Sequence, residues 1–254
     1  MQWSDEGIVL SVRPHGETAA IVDVFTRDHG RHAGLVFGGR SRKLRPVLQT
    51  GNHVDAVWTG RLSENLGTLA VELRRGFAAE AMADPLALVG LMAIADLGRL
   101  LAERDPHPNL FEITLFLLSF LDDPTVWPAL YARWELALLD ELGVGLDLES
   151  CAATGAINDL VYVSPKSGRA VSATAGEPYK HRLLPLPAFL RRRRPGLLAA
   201  EASRAAVLDA LMLTGDFLTS RVFHPREMAG SDARGYLLDQ LRRAATDTQN
   251  FTKS

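Results

Sequence analysis

Apolar side chains recur at every second position in five short runs within residues 1–80. Ile8, Leu10 and Val12 alternate with more polar neighbours, and Ala20, Val22 and Val24 do the same in TAAIVDVFT. HAGLVFGG, NHVDAVWTG and GTLAVELRR follow. A period of two sends successive side chains to opposite faces of a strand, and the runs are rich in β-branched and aromatic residues. Gly16, Gly30, Gly51, Gly60 and Gly67 fall near the turns between them. The spacing predicts a small five-stranded barrel or sandwich over residues 1–80.

The period changes at Asp84-Pro85, where an N-capping Asp precedes Pro at the first helical position. LALVGLMAIADLGRLLAERD has helical spacing and stops before Pro106. Further helices are predicted from Asn109 to Leu121 and from about Pro124–Pro128 to the stop at Gly143. On the latter, Leu130, Trp134, Ala137, Leu138 and Glu141 share one side, while Arg133, Glu135 and Asp140 point elsewhere. Residues 81–148 therefore read as the first part of a helical domain. Residues 149–186 read as a short β insertion, with VYVSPKSGRAVS as a hairpin around Pro-Lys-Ser-Gly. Two amphipathic helices, from about Leu197 to Val222 and from an N-cap at Ser231, occupy residues 187–246, and residues 247–254 form a disordered tail.

The formal net charge of −2 over 254 residues hides a strong asymmetry. Residues 81–150 carry −9 and residues 151–254 carry +6. Within residues 27–45, six Lys/Arg stand against one Asp. The stretch FGGRSRKLRP sets Arg40, Arg42, Lys43 and Arg45 behind a glycine pair. It reads as a flexible cationic loop suited to an irregular polyanion such as single-stranded nucleic acid. Arg27, Arg31, Arg74 and Arg75 would extend the patch, with Phe25, Phe37 and Trp58 available to stack on bases. The plainer reading is an ordinary solvated loop. Arg191 to Arg194, in RRRRPG, either touch phosphate or end a short helix from Pro187, where cations favour the negative pole.

Other chemistries find little support. Cys151 is the only cysteine, so an intrachain disulfide is impossible and a reducing cytoplasm is expected. No CxxC is present, and His29-x-x-His32 reads as a surface pair without a third metal ligand. Asp122-Asp123 and Asp140-Glu141 are paired carboxylates that an acidic solvated face explains. No GxSxG, phosphate-binding loop, HExxH or GxGxxG occurs, so no enzyme activity and no cofactor or metal are expected. The N-terminus has no signal-peptide pattern, and the apolar stretch Leu110–Leu121 is too short to span a bilayer.

The segments DEGIVLSVRPHGETAAIVDVFTRDHGRHAGLVFGGRSRK and LQTGNHVDAVWTGRLSENLGTLAVEL closely resemble the RecO family of DNA repair proteins, in its alphaproteobacterial form. RWELALLDELGVGLDL, SPKSGRAV and RLLPLPAFL extend the resemblance over about residues 2–245. The resemblance implies an α+β chain: an N-terminal five-stranded OB-fold barrel, a helical domain and a short treble-clef-like β insertion. Some family members hold zinc in that insertion with four cysteines. Here Cys151 matches the first, Thr154 stands at the second, and SPKSG carries none, so metal is not expected. Val161, Tyr162, Val163, Val171 and Leu183 would hold the insertion by packing.

The family further implies a non-enzymatic recombination mediator, cytoplasmic and nucleoid-associated. Such a protein binds single- and double-stranded DNA and anneals complementary strands. It engages the acidic C-terminal tail of single-stranded-DNA-binding protein and, with RecR, helps load RecA. An acidic tail with an apolar tip needs a hydrophobic groove beside a cation. Arg133, flanked by Tyr131 and Trp134, is the expected site; a plain core role for Trp134 is the alternative. Rival readings are a generic RNA- or tRNA-binding OB module and a metal-dependent nuclease on the acidic segment.

Overall fold

The computed structural model describes residues 1–61, 66–191 and 202–251, and the chain forms two compact units, residues 1–122 and 123–254. The first unit begins with β1 (Gln2–His15), β2 (Ala19–Thr26), β3 (Gly30–Val36), β4 (His53–Thr59) and β5 (Thr68–Arg75). They form a closed barrel of order β1-β2-β3-β5-β4. One half of β1 pairs antiparallel with β4, from Gln2↔Thr59 to Ile8↔His53. The other half pairs with β2, from Gly7↔Thr26 to His15↔Ala19. A bulge between Val9 and Ser11 bends the strand between its two partners. The parallel contact Leu35↔Thr68 closes the ring. This is the expected OB fold.

Period-two alternation accounts for the barrel core, where Val9, Val22, Val24, Val54, Ala56 and Trp58 are fully buried. On β2 the outward residues Asp23 and Phe25 are buried as well. Helices α1 (Phe77–Ala81), α2 (Pro85–Gly98) and α3 (Pro108–Leu118) follow, and the cover over these two residues comes from α3 and the segment between α2 and α3. Phe25 meets Phe111 of α3 edge-on, with ring centroids 5.5 Å apart. Arg104 N–H donates to the Arg31 carbonyl at 2.9 Å. Gly30 has φ +67°, and a Cβ there would lie 2.2 Å from the Asp105 carbonyl oxygen, so only glycine admits this approach. Asp84 caps α2 as expected, accepting from Leu86 N–H at 2.9 Å. Strands give way to helices near residue 80, but packing divides the chain at 122/123, with α2 and α3 joined to the barrel's unit.

The second unit contains α4 (Trp127–Glu141), β6 (Leu160–Val163), β7 (Ala170–Ser172), α5 (Ala173–Gly176), β8 (Leu184–Pro185), α6 (Arg204–Phe217) and α7 (Asp232–Phe251). A π-helical turn, Leu218–Phe223, follows α6. The expected helix start at Leu197 lies outside the described residues, as do residues 252–254 of the expected tail; residues 247–251 continue α7. The insertion is a three-stranded sheet of order β7-β6-β8, packed through Leu160, Val163, Ala170 and Val171. Cys151 is buried there: its Sγ accepts from Ser172 N–H at 3.3 Å and lies 3.6 Å from Ser172 Oγ. Among the described residues no group of three or more His, Cys, Asp or Glu could hold a metal ion. No helix among them is long and apolar enough to cross a membrane.

Glu135, which helical spacing sets off the apolar side of α4, is wholly buried. Arg234 grips it with two bonds of 2.6 and 2.9 Å, Thr214 Oγ1 donates to it, and Arg234 also donates to the Leu211 carbonyl at 2.6 Å. Ser231 does cap α7, accepting from Arg234 N–H at 3.2 Å. The position three residues after the cap, where a capping box has Glu, carries the arginine that α4 requires. A buried charge stripped of its partner is strongly destabilising. Glu135→Ala should therefore cost about 3–5 kcal/mol in urea unfolding, and Glu135→Leu combined with Arg234→Met should recover most of it. A negligible loss in the single variant would contradict the pairing.

Candidate nucleic-acid interface

The stretch between β3 and β4 is a folded series of turns rather than a free loop. Gly38 takes φ +66°, and a Cβ on Gly39 would lie 2.9 Å from Ala20 Cβ, so the glycine pair serves a turn and a close approach instead of a hinge. Ser41 N–H donates to the Gly38 carbonyl (2.9 Å), Arg45 N–H to Ser41 (3.0 Å) and Leu48 N–H to Leu44 (2.9 Å). Leu48 is buried in the barrel core, and Leu44 and Val47 pack against it. Buried Asn52 holds the segment from beneath. Its side-chain amide donates to the carbonyls of Pro46 (2.8 Å) and Val47 (3.1 Å), and its Oδ1 accepts from Ala78 N–H at 3.0 Å.

Against this buried side stands an exposed cationic one. Arg42, Lys43 and Arg45 are exposed, and their side chains make no hydrogen bond or ion pair among the described residues. Arg40 is exposed too, its guanidinium braced on the carbonyls of Gly16 (3.0 Å) and Glu17 (2.9 Å). Carbonyls orient a guanidinium without cancelling its charge. Beside the turns lies an open groove of about 500 Å³, lined by Val12, Pro14, Ala20 and Leu48 together with Arg40 and Arg45.

The other four predicted cations are committed to internal partners. Arg27 pairs with Glu6 at 2.8 Å and with Glu112. Arg74 pairs with Glu6 and Asp55, each at 2.7 Å. Glu6 also faces His53 at 2.9 Å, so one carboxylate serves three partners. Arg75 holds Glu80 with two bonds of 3.0 and 2.9 Å, and its guanidinium sits 4.5 Å above the Phe77 ring. Arg31 bonds Asp23 at 2.8 Å and the Leu101 carbonyl at 2.9 Å, with Glu103 at 3.5 Å. Burial raises the Asp23 pKa, although Arg31 pulls it back.

Two of the three aromatics expected to stack on bases are unavailable, because Phe25 and Trp58 are buried. Phe37 is 71% exposed. The histidine pair is also not a surface pair. His32 is buried edge-on to Trp3 and Trp58, at 5.0 and 5.8 Å, and burial lowers its pKa. His29 stacks on Trp3 at 4.3 Å and meets Asp5 at 2.9 Å. In the second unit, Tyr131 and Trp134 are buried and stacked 5.7 Å apart in the helical core, so they cannot line a surface groove; Arg133 alone of that trio is exposed. Of the arginine run, Arg191 is buried and donates to the Ile157 carbonyl at 2.7 Å, while Arg192–Arg194 lie outside the described residues.

Comparison with known proteins follows the same architecture. Residues 1–77 match the family model "Recombination protein O N terminal", and residues 82–228 match "Recombination protein O C terminal". The chain is 54% identical over 234 residues to the DNA repair protein RecO of Methylobacterium nodulans, covering 92% of this chain and 95% of that one. It is 53% identical to the same-named protein of Mesorhizobium japonicum, covering 96% and 94%. For Rhodospirillum centenum the identity is 52%, covering 97% of each chain.

Stability separates the two sets of cations. Arg31→Ala strands the buried Asp23 and should cost about 3 kcal/mol of unfolding free energy. Arg42→Ala and Lys43→Ala should stay within about 0.5 kcal/mol of the parent. Denaturant titration of the three variants checks this, and equal costs would contradict the division.

Proposed function

The chain belongs to the RecO family of DNA repair proteins, and on that premise we propose that it binds DNA through the cationic turns at residues 37–50. Arg40, Arg42, Lys43 and Arg45 contact phosphates, so binding is weakly sequence-selective and extends to single and double strands. The observation that carries this reading is the placement of Arg42, Lys43 and Arg45: exposed, unpaired among the described residues, and projecting from a segment anchored in the barrel core. A braced backbone lets side chains meet a polyanion with less ordering cost than a floppy loop.

The activity is that of a recombination mediator. Two complementary strands repel through their phosphates, and a cationic surface that neutralises part of each lets pairing proceed. No bond is made or broken and no nucleotide is hydrolysed, so the protein acts without enzyme chemistry. With RecR it promotes RecA loading onto single strands coated by their binding protein, whose acidic tail it engages. Because Tyr131 and Trp134 are core residues, that tail docks elsewhere.

Each neutralised phosphate on a single strand contributes about 0.7 to the slope of log affinity against log salt, so four give a slope near −3. Replacing Arg42, Lys43 and Arg45 together with Ala should flatten it to about −1. Anisotropy titrations at several salt concentrations measure this, and an unchanged slope refutes the assignment. Annealing of oligonucleotides coated with the cognate binding protein should fail in the same variant while proceeding, without nucleotide or strand cleavage, in the parent.

A further inference from the structure

The cationic turns carry one group that phosphate contact does not use. Phe37 is 71% exposed, and no other Phe, Tyr or Trp among the described residues shows more of itself to solvent. Its position follows from strand register: Val36 points into the barrel core, so the next side chain points out. The other apolar residues of the segment, Leu44, Val47 and Leu48, all turn inward. Phe37 therefore stands apart from an otherwise consistent sorting of apolar from charged side chains. Among the described residues its ring meets no other ring and no cation.

A bare aromatic face set five residues before the unpaired cations Arg42, Lys43 and Arg45 is the pairing of groups that single-stranded nucleic acid requires. The cations take phosphates, and the ring takes a base that a duplex would keep stacked and hidden. We propose that Phe37 stacks on a base of bound single-stranded DNA and makes the cationic turns prefer single strands to duplex. The proposal rests on the reading of residues 37–50 as the DNA face and adds to it a residue, a contact and a selectivity. An acidic peptide with an apolar tip could also use a ring beside cations, but Phe37 directly follows β3 and opens the segment whose Arg40 and Arg45 line an open groove, where a chain of phosphates can continue past it.

The test uses the full chain with Phe37→Ala and Phe37→Trp, against an oligo-dT strand, an abasic strand of equal length and a duplex. Phe37→Ala should weaken oligo-dT binding about tenfold and leave abasic and duplex binding unchanged. Its salt slope on oligo-dT should match the parent, since stacking releases no counterions. Phe37→Trp should keep the affinity and show fluorescence quenching by oligo-dT but not by the abasic strand. An exposed ring contributes little to folding, so an unchanged unfolding midpoint accompanies these results. With an acidic peptide of apolar tip titrated in parallel, no loss on oligo-dT, equal loss on all three nucleic acids, or a loss confined to that peptide would overturn the proposal. If Phe37→Ala is silent while the Arg42/Lys43/Arg45 variant flattens the slope, only the stacking contact is lost. If that triple variant is also silent, the DNA face itself is misplaced.

Discussion

The cations of residues 37–50 reach solvent because Asn52 holds the backbone beneath them. This one buried side chain donates to two carbonyls of the turns and accepts from the first turn of α1, while its own carbonyl accepts from Val9 N–H at 3.0 Å. It therefore joins the cationic segment, the bulged part of β1 and the start of the helices. The buried Ala78 N–H would otherwise lack this partner, at a cost of about 1–3 kcal/mol. Leu44, Val47 and Leu48 supply the apolar part of the same anchorage. The result is a segment with one side committed to the barrel and the other free for a ligand.

The same logic explains the division of charge on the barrel. Arg31 and Arg42 are both arginines in a cationic stretch, and their composition gives no means of telling them apart. Arg31 lies on β3 opposite Phe25 of β2 and reaches diagonally to Asp23, on a face that the segment around Leu101–Asp105 covers. Burial makes the pair obligatory, because neither charge is tolerable there alone. Arg27, Arg74 and Arg75 are half-exposed, yet Glu6, Asp55, Glu80 and Glu112 already offset their charge. A polyanion would have to compete with those carboxylates. At Arg42, Lys43 and Arg45 it meets no such competitor among the described residues.

Much of the fold was legible from pattern alone. Period-two runs located the five strands, and Asp84-Pro85 and Ser231 announced their helices. The basic stretch was visible from its charge. What pattern could not convey was anything set by contacts distant in sequence. Helical spacing set Glu135 off the apolar side of its helix, and nothing local showed it to be buried because its partner, Arg234, lies ninety-nine residues away. Tyr131 and Trp134 looked available for a peptide because α6 and α7, which help form the helical unit, come much later in the chain. The glycine pair suggested mobility, whereas Gly39 is needed because the chain passes close to Ala20. Asn52 carried no signal of its own beyond being an amide between a glycine and a strand.

The central claim is that DNA lies against residues 37–50 and leaves the other cationic surfaces free. Amine-reactive footprinting tests it in one measurement, since Lys43 is exposed in the turns while Lys166 and Lys180 are exposed in the second unit. Saturating single-stranded DNA should protect Lys43 strongly and leave the labelling of Lys166 and Lys180 unchanged. Labelling of Lys43 at the same rate with and without DNA, under conditions where the strand is bound, would contradict the account.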